Sequence, residues 1–236
     1  MPENNSVPAK RSVPKILIVG GGYAGFYTAW KLEKHLRKGE AEVTMVDPLP
    51  YMTYQPFLPE VAAGSIEARH AVVAHRRHLK RTHVLTAKVT GIDHANKVAT
   101  ITPPVGESYE MPYDQIVVTA GAVSRTFPIP GIADNAIGLK TIEEAVAVRD
   151  KLMSNFDKAA SLPAGPERDR LLTVVVVGGG FAGIEVFAEL RSLASALVSK
   201  YPQLSFEDTH VHLIEAMGRI MPEESLKPSE WVRKAL

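Results

Sequence analysis

The sequence predicts an α/β fold of two doubly wound, three-layer units in tandem, the second incomplete, and three observations predict it. First, Lys-Ile-Leu-Ile-Val-Gly-Gly-Gly-Tyr-Ala-Gly at 15–25 and Val-Val-Val-Val-Gly-Gly-Gly-Phe-Ala-Gly at 174–183 repeat one design: an aliphatic run, a glycine cluster, then a helical pattern. Second, neither aliphatic run alternates with polar residues, so each reads as a strand buried on both faces in a parallel sheet covered by helices. Third, the next strand of each copy ends on an acid, Asp47 in Thr-Met-Val-Asp and Glu215 in His-Leu-Ile-Glu.

The elements follow in order. Residues 1–14 are polar and proline-spotted, with no apolar segment, and read as a disordered tail. Behind the first glycines, Ala24, Tyr27, Leu32 and Leu36 fall near helical spacing with Lys31, Glu33 and Lys34 between them, and Gly39 is the expected stop. A strand over Val43–Val46 closes at Asp47-Pro48. The aromatic, proline-rich stretch 48–70 reads as an ordered loop entering a short helix. Thr82–Val89 reads as a strand, Lys97–Thr102 with Tyr109–Met111 as a small hairpin, and Asp114–Thr119 as another buried strand ending at Ala120-Gly121. Phe127-Pro128-Ile129-Pro130-Gly131 is a linker by its proline and glycine content. Thr141 followed by Glu144 makes a capping box for a helix to about Ala160, whose buried face Ile142, Ala145, Val146, Leu152, Met153 and Phe156 trace. Pro163–Pro166 breaks the chain before the second copy. There a strand at 174–178 leads to a long helix, a strand at 210–215 and a helical tail. The boundary between units falls around 125–140.

Composition narrows the function. With 236 residues, 45% hydrophobic and 22% charged, the chain can bury two modest globular cores. Lys plus Arg number 27 and Asp plus Glu 26, for a formal charge of +1, which argues against a nucleic-acid binder. The cysteine count is 0, excluding a disulfide scaffold, a thiolate metal site, a cysteine nucleophile and a redox dithiol within these residues. The longest uncharged stretch, Ile16–Trp30, is 15 residues with four glycines. A spanning helix needs about 20 apolar residues, so none is expected.

Gly20, Gly22 and Gly25 fit G-x-G-x-x-G, as do Gly178, Gly180 and Gly183. The first glycine permits a tight strand-to-helix turn, the second lets the backbone approach a pyrophosphate, and the third lets helix and strand pack closely. The helix N-terminus offers free N–H groups to the anion. A carboxylate at Asp47 or Glu215 can accept from a ribose 2′-hydroxyl and would repel a 2′-phosphate. Glu215 therefore favours NAD over NADP, with Arg219 nearby as the residue that argues the other way. Two such sites suggest two dinucleotides, a bound flavin as electron carrier and a nicotinamide as donor, with hydride passing between them.

With both fingerprints in place, the chain resembles the two-dinucleotide-binding flavoprotein reductases. Within them it is most similar to the type II, non-proton-pumping NADH dehydrogenases. Tyr54-Gln55-Pro56-Phe57-Leu58-Pro59-Glu60-Val61-Ala62-Ala63-Gly64 is similar to that family's segment beside the flavin ring. Tyr113-Asp114-Gln115-Ile116-Val117-Val118-Thr119-Ala120-Gly121-Ala122 resembles its second flavin-contacting strand, and Gly180-Phe181-Ala182-Gly183-Ile184-Glu185 its NADH fingerprint.

The resemblance implies two Rossmann-like domains of the FAD/NAD-linked reductase type: an FAD domain over 15–130 and an incomplete NAD domain over 131–236. It implies that Gly20, Gly22, Tyr23, Ala24, Gly25, Asp47, Ala120 and Gly121 hold FAD, with a backbone contact near Val89. Gly178, Gly180, Phe181, Gly183 and Glu215 would hold NADH. Gln55 would face the isoalloxazine, and Glu185 would sit where nicotinamide, flavin and quinone meet, with a proton-relay role weighed against simple stabilisation in the first turn of its helix. It further implies a quinone acceptor, a homodimer, and a cytoplasmic enzyme peripheral to the inner face of the cell membrane. Disulfide and sulfide:quinone reductases of similar fold pass electrons through cysteines, which this sequence cannot do. A later Gly-Asp segment and a membrane-touching C-terminal part are not in the sequence, so the chain reads as the N-terminal portion of a longer reductase. By itself it is expected to hold FAD weakly or not at all and to oxidise NADH little. The alternatives are a reductase of a small redox protein and a non-catalytic dinucleotide-binding protein.

Other residues carry weaker readings. Arg69, His70, His75, Arg76, Arg77, His78, Lys80, Arg81 and His83 form a basic run read as a solvated or phosphate-facing surface. His75 and His78 are spaced for one helix face, but no carboxylate or cysteine accompanies them and no metal site is assigned. His210 and His212 read as edge-of-sheet packing. Tyr51 and Tyr54 are candidates to line the flavin pocket, or simple packing in a proline-rich loop.

Overall fold

The structure, a computed structural model, describes residues 13–124 and 128–236. The expected tail, up to residue 12, and Phe127 of the expected linker lie outside the described residues. The chain divides into two compact units, one running to Thr53 and resuming over Val72–Ala122, the other formed by Tyr54–Ala71 and Val123–Leu236.

In the first unit, β1 (Lys15–Val19), α1 (Tyr23–His35) and β2 (Glu42–Asp47) alternate as strand, helix and parallel strand. The core-facing residues of α1 are Gly25, Phe26 and Ala29, whereas Ala24 and Tyr27, expected on that face, are exposed. Gly25 sets this phase, because only a residue without Cβ can lie against the Gly20 carbonyl. The helix leaves α geometry at Leu36, three residues before the expected stop at Gly39, which instead takes a positive φ of 81° in the following turn.

Between β3 (Tyr51–Thr53) and β4 (Val72–Ala74), which pair antiparallel, the chain makes the excursion that carries α2 (Leu58–Ala62) into the second unit. After α3 (His75–His78), the expected single strand over 82–89 proves to be two: β5 (His83–Thr86) and β6 (Lys88–Asp93). They part at buried Ala87, whose N–H still bonds the Asp47 carbonyl at 3.1 Å before the chain turns into a different sheet. β7 (Val98–Thr102) and β8 (Tyr109–Pro112) form the expected hairpin, and β6 adds to it as a third antiparallel strand. β9 (Gln115–Val118) closes a four-stranded parallel sheet in the order β5-β2-β1-β9. Expected to be buried, it is among the described residues an edge strand, paired on one side only, and Val118 is 61% exposed.

In the second unit, α4 (Ile132–Asn135) precedes α5 (Ile142–Ala160), which starts with the expected capping box. Thr141 Oγ1 accepts from the Glu144 N–H at 3.1 Å, and Glu144 accepts from the Thr141 N–H at 3.0 Å. Its buried face is Ala145, Leu152, Phe156 and Ala159; Met153 faces out. α6 (Pro166–Leu171) leads to β10 (Thr173–Val177), α7 (Phe181–Val198), β11 (His210–Ile214) and α8 (Leu226–Ala235). β10 and β11 pair in parallel as a two-stranded sheet, in register from Thr173↔His210 to Val177↔Ile214. Leu58, Val61 and Ala62 of α2 are buried together with Ala145 of α5, which explains why the excursion belongs here. The expected boundary at 130/131 thus misses residues 54–71. Both units are Rossmann-like: each has parallel strands with a helix crossing between the first two.

Candidate functional site

Each glycine cluster turns the end of a strand into the start of a helix. Gly20 has φ +98° and donates to the Val46 carbonyl at 2.8 Å; Gly178 has φ +111° and donates to the Ile214 carbonyl at 2.8 Å. An L side chain rarely adopts such a φ. A Cβ on Gly25 would stand 1.8 Å from the Gly20 carbonyl oxygen, and one on Gly183 equally 1.8 Å from that of Gly178. These third glycines are compulsory. By contrast a Cβ on Gly22 or Gly180 would meet nothing within 4 Å. Those positions face open space, as a loop that admits a ligand against its backbone requires.

The strand-end acids hold the middle of each loop. Asp47 accepts from the Gly21 N–H at 2.5 Å and from the Leu49 N–H at 2.7 Å. Glu215 accepts from the Gly179 N–H at 2.6 Å and from the Met217 N–H at 2.7 Å. The Met217 and Gly179 N–H groups hold the Glu215 carboxyl below its usual value. A carboxylate has about four acceptor positions, so each acid keeps capacity for a ribose hydroxyl. Neither α1 nor α7 has a side-chain N-cap or an acid in its first turn, so the helix starts add no negative charge where an anion would sit. These features fit a pyrophosphate-bearing dinucleotide at each loop.

In the first unit, Gly20, Gly22, Tyr23, Ala24, Gly25, Asp47, Ala120 and Gly121 come together at the carboxyl ends of β1, β2 and β9. Gly20 lies against Thr119 and Ala120, and Tyr23 is 53% exposed. Open parallel sheets bind ligands at that edge. Val89 lies just past the carboxyl end of β5, half-buried beside the bulge at Val89/Gly91. In the second unit, Gly178, Gly180, Phe181, Gly183 and Glu215 gather likewise, with Phe181 52% exposed. Gln55 and Glu185 belong to this unit too. Gln55 Nε2 donates to the Lys140 carbonyl at 3.4 Å. Glu185 is exposed and is the fifth residue of α7, past the first turn where it was expected, because the helix begins at Phe181 with Gly180 as its cap.

Arg219 does not stand free beside Glu215. Its guanidinium donates to the carbonyls of Met221, Pro222, Glu224 and Ser225 at 2.5–3.4 Å, tying the following loop together. His210 and His212 stack on each other at 6.3 Å between ring centroids on one face of β11, and both are exposed. Tyr54 and Phe57 pack in a T-shaped pair with ring centroids 4.8 Å apart.

The sequence reading missed His75. Placed with a solvated basic surface, it is fully buried, and its Nε2 lies 2.8 Å from the Gly21 carbonyl oxygen. A carbonyl only accepts, so Nε2 carries the proton. Burial pushes its pKa down, against the opposing pull of the Gly21 bond and the Asp47 charge, while Arg76 adds to the lowering. The signal in the sequence was the i, i+4 spacing of His75 with Leu79, also buried. The ring is neutral in the fold but takes a proton near pH 6.5 in the unfolded chain. Below that pH the unfolded state binds more protons, so the first unit loses stability as pH falls from about 6.5 toward the folded-state value, and is unaffected above it. Denaturant midpoints of the wild type and His75→Gln between about pH 5 and 8 should show this slope in the wild type alone.

Residues 14–236 match the model of the pyridine nucleotide-disulphide oxidoreductase family. The chain belongs to that family. It is 36% identical to the external NADH-ubiquinone oxidoreductase 2 of Saccharomyces cerevisiae mitochondria over 88% of this chain and 39% of that protein. It is 28% identical to the type II NADH:quinone oxidoreductase Ndh of Mycobacterium tuberculosis over 95% of this chain and 48% of that one. The structure of NDH2 from Plasmodium falciparum in complex with RYL-552 superimposes with a TM-score of 0.86 at 25% identity, covering 94% of this chain and 45% of that chain. The chain thus spans less than half the length of these relatives. The cysteine count of this chain is 0. The disulphide in the family's name has no counterpart in these residues.

Proposed function

We propose that the chain is the nucleotide-binding part of a flavin-dependent NADH:quinone oxidoreductase, with FAD at the loop 20–25 and NADH at the loop 178–183. The observation that carries this reading is the duplicated loop: two glycine clusters, each with its compulsory third glycine, open second glycine and strand-end carboxylate. One dinucleotide site would serve a binding protein; two on one chain suit transfer between nucleotides. A flavin held at the first loop would supply the hydride-accepting and electron-passing chemistry, and a nicotinamide at the second would supply the hydride.

The chain's own groups bind and orient. The loop N–H groups and the helix start take the pyrophosphate, and Asp47 and Glu215 take the ribose hydroxyls. Glu215 disfavours a 2′-phosphate, and Arg219, occupied by four carbonyls, is not arranged to reverse that preference. NADH is therefore the proposed donor. A quinone acceptor is supported by the names of the relatives, and these residues contain no cysteine that could serve as a disulfide carrier. Among the described residues no helix is long and apolar enough to cross a membrane. A quinone is lipid-borne, which supports a peripheral position on a membrane; the cytoplasmic, inner face of the cell membrane is the side that the family resemblance implies. Gln55 and Glu185 are proposed to border the reacting rings.

The test is an absorption spectrum of the chain loaded with FAD, recorded without oxygen before and after NADH. Bleaching of the flavin band supports the reading. Saturable NAD binding by a chain that takes no flavin would favour the non-catalytic nucleotide-binding alternative.

A further inference from the structure

We propose that His75 is a positioning residue for the first glycine loop, fixing from outside the motif the peptide that presents the Gly22 N–H to a bound nucleotide. This rests on the reading of that loop as the flavin-nucleotide site.

The argument begins with peptide geometry. The Gly21 carbonyl and the Gly22 N–H belong to one planar, trans peptide and point in opposite directions. Holding the carbonyl on His75 Nε2 at 2.8 Å therefore turns the Gly22 N–H to the other side. The preceding peptide is held as well, by the Gly21 N–H on Asp47. The two peptides that flank Gly21 are thus pinned by two side chains distant in sequence.

The second loop repeats the arrangement with different chemistry. There the Gly179 N–H is held by Glu215, and the Gly179 carbonyl accepts from the Met221 backbone N–H at 2.7 Å. Both loops therefore clamp the middle glycine on both sides, one with an imidazole and the other with main chain. The same solution reached by two different donors points to the clamp as a requirement of the loop.

Close approach confirms how tight the clamp is. A Cβ on Gly21 would stand 2.6 Å from Cε1 and 2.9 Å from Nε2 of His75, and 3.0 Å from the Asp47 Cβ. One on Gly179 would stand 3.1 Å from Glu215 and from Ile220. This accounts for the glycine at the x position of G-x-G in both copies, which the nucleotide-binding pattern itself leaves open.

His75 is also a poor choice for packing alone. Its ring stacks near Phe26 at 6.1 Å between centroids, yet its Nδ1 is buried without a hydrogen-bond partner. An apolar side chain would avoid that cost. The nitrogen that does have a partner is the one aimed at the loop.

The test uses the whole chain with His75→Phe, which keeps a ring and removes the donor, and His75→Gln, whose amide can donate again. In the ligand-free protein, amide exchange over 20–26 should quicken about fivefold in His75→Phe and return to within about twofold of wild type in His75→Gln. Exchange over 178–184 should stay unchanged in both. FAD affinity should fall about fivefold in His75→Phe and recover in His75→Gln, while NAD affinity holds. Equal effects of both variants, or none, would overturn the proposal. So would an imidazole ¹⁵N spectrum of the wild type with the proton on Nδ1, a reading independent of any variant. Exchange that follows the clamp in a wild-type chain that binds no FAD would uphold the positioning role and overturn the flavin assignment.

Discussion

Gly25→Ala is expected to destabilise the first unit by about 3 kcal/mol and to abolish flavin binding, while leaving the second unit's stability and NAD binding in place. The clash is with backbone: a Cβ there stands 1.8 Å from the Gly20 carbonyl oxygen and 2.7 Å from Thr119 Oγ1, which itself donates to the Val19 and Gly20 carbonyls. No side-chain rotation relieves it. Either α1 moves away from β1, or the loop loses the turn that presents its N–H groups. Gly183→Ala should produce the mirror result in the second unit, from the same 1.8 Å approach to Gly178. The two tryptophans permit a separate reading, since Trp30 lies in α1 and Trp231 in α8. Denaturant unfolding followed by fluorescence, in backgrounds retaining one tryptophan each, should show the Gly25→Ala loss at Trp30 only. An unchanged Trp30 midpoint would contradict the tight helix–strand approach.

Glu215→Ala should weaken NADH binding by roughly 10–100-fold, with FAD affinity unchanged. The substitution removes the ribose acceptor and also releases the Gly179 and Met217 N–H groups that Glu215 holds at 2.6 and 2.7 Å. The loop is thus loosened as well as stripped of a ligand contact. Glu215→Gln should fall between, since its single carbonyl oxygen can serve one of those N–H groups and its amide cannot accept. Isothermal titration with NADH measures both variants. Wild-type affinity in Glu215→Ala would mean the second loop is not where NADH binds.

What could be read from the sequence was whatever local backbone chemistry dictates. Three glycines at fixed spacing after an aliphatic run specify a tight turn into a helix, and Thr141 with Glu144 specifies a helix start; both are found where the pattern put them. What could not be read depended on partners far along the chain. The Gly21 carbonyl is held by a residue 54 positions away, so His75 looked like one more member of a basic run. The 54–71 excursion carries apolar residues whose partner, Ala145 in α5, lies well past the expected domain boundary. The phase of α1 was misread because Tyr27 looks apolar, whereas the constraint that orients the helix comes from Gly25, a residue with no side chain to weigh. Val118 reads as a core strand residue, and only the strand order reveals β9 as an edge.

The central claim is that one chain holds two different dinucleotides at two separate loops. Titration calorimetry with NAD⁺, run on the chain alone and again with FAD at saturation, tests it most directly. The account predicts one NAD⁺ per chain with the same affinity in both runs, and one FAD per chain when the order is reversed. Displacement of one nucleotide by the other would contradict it.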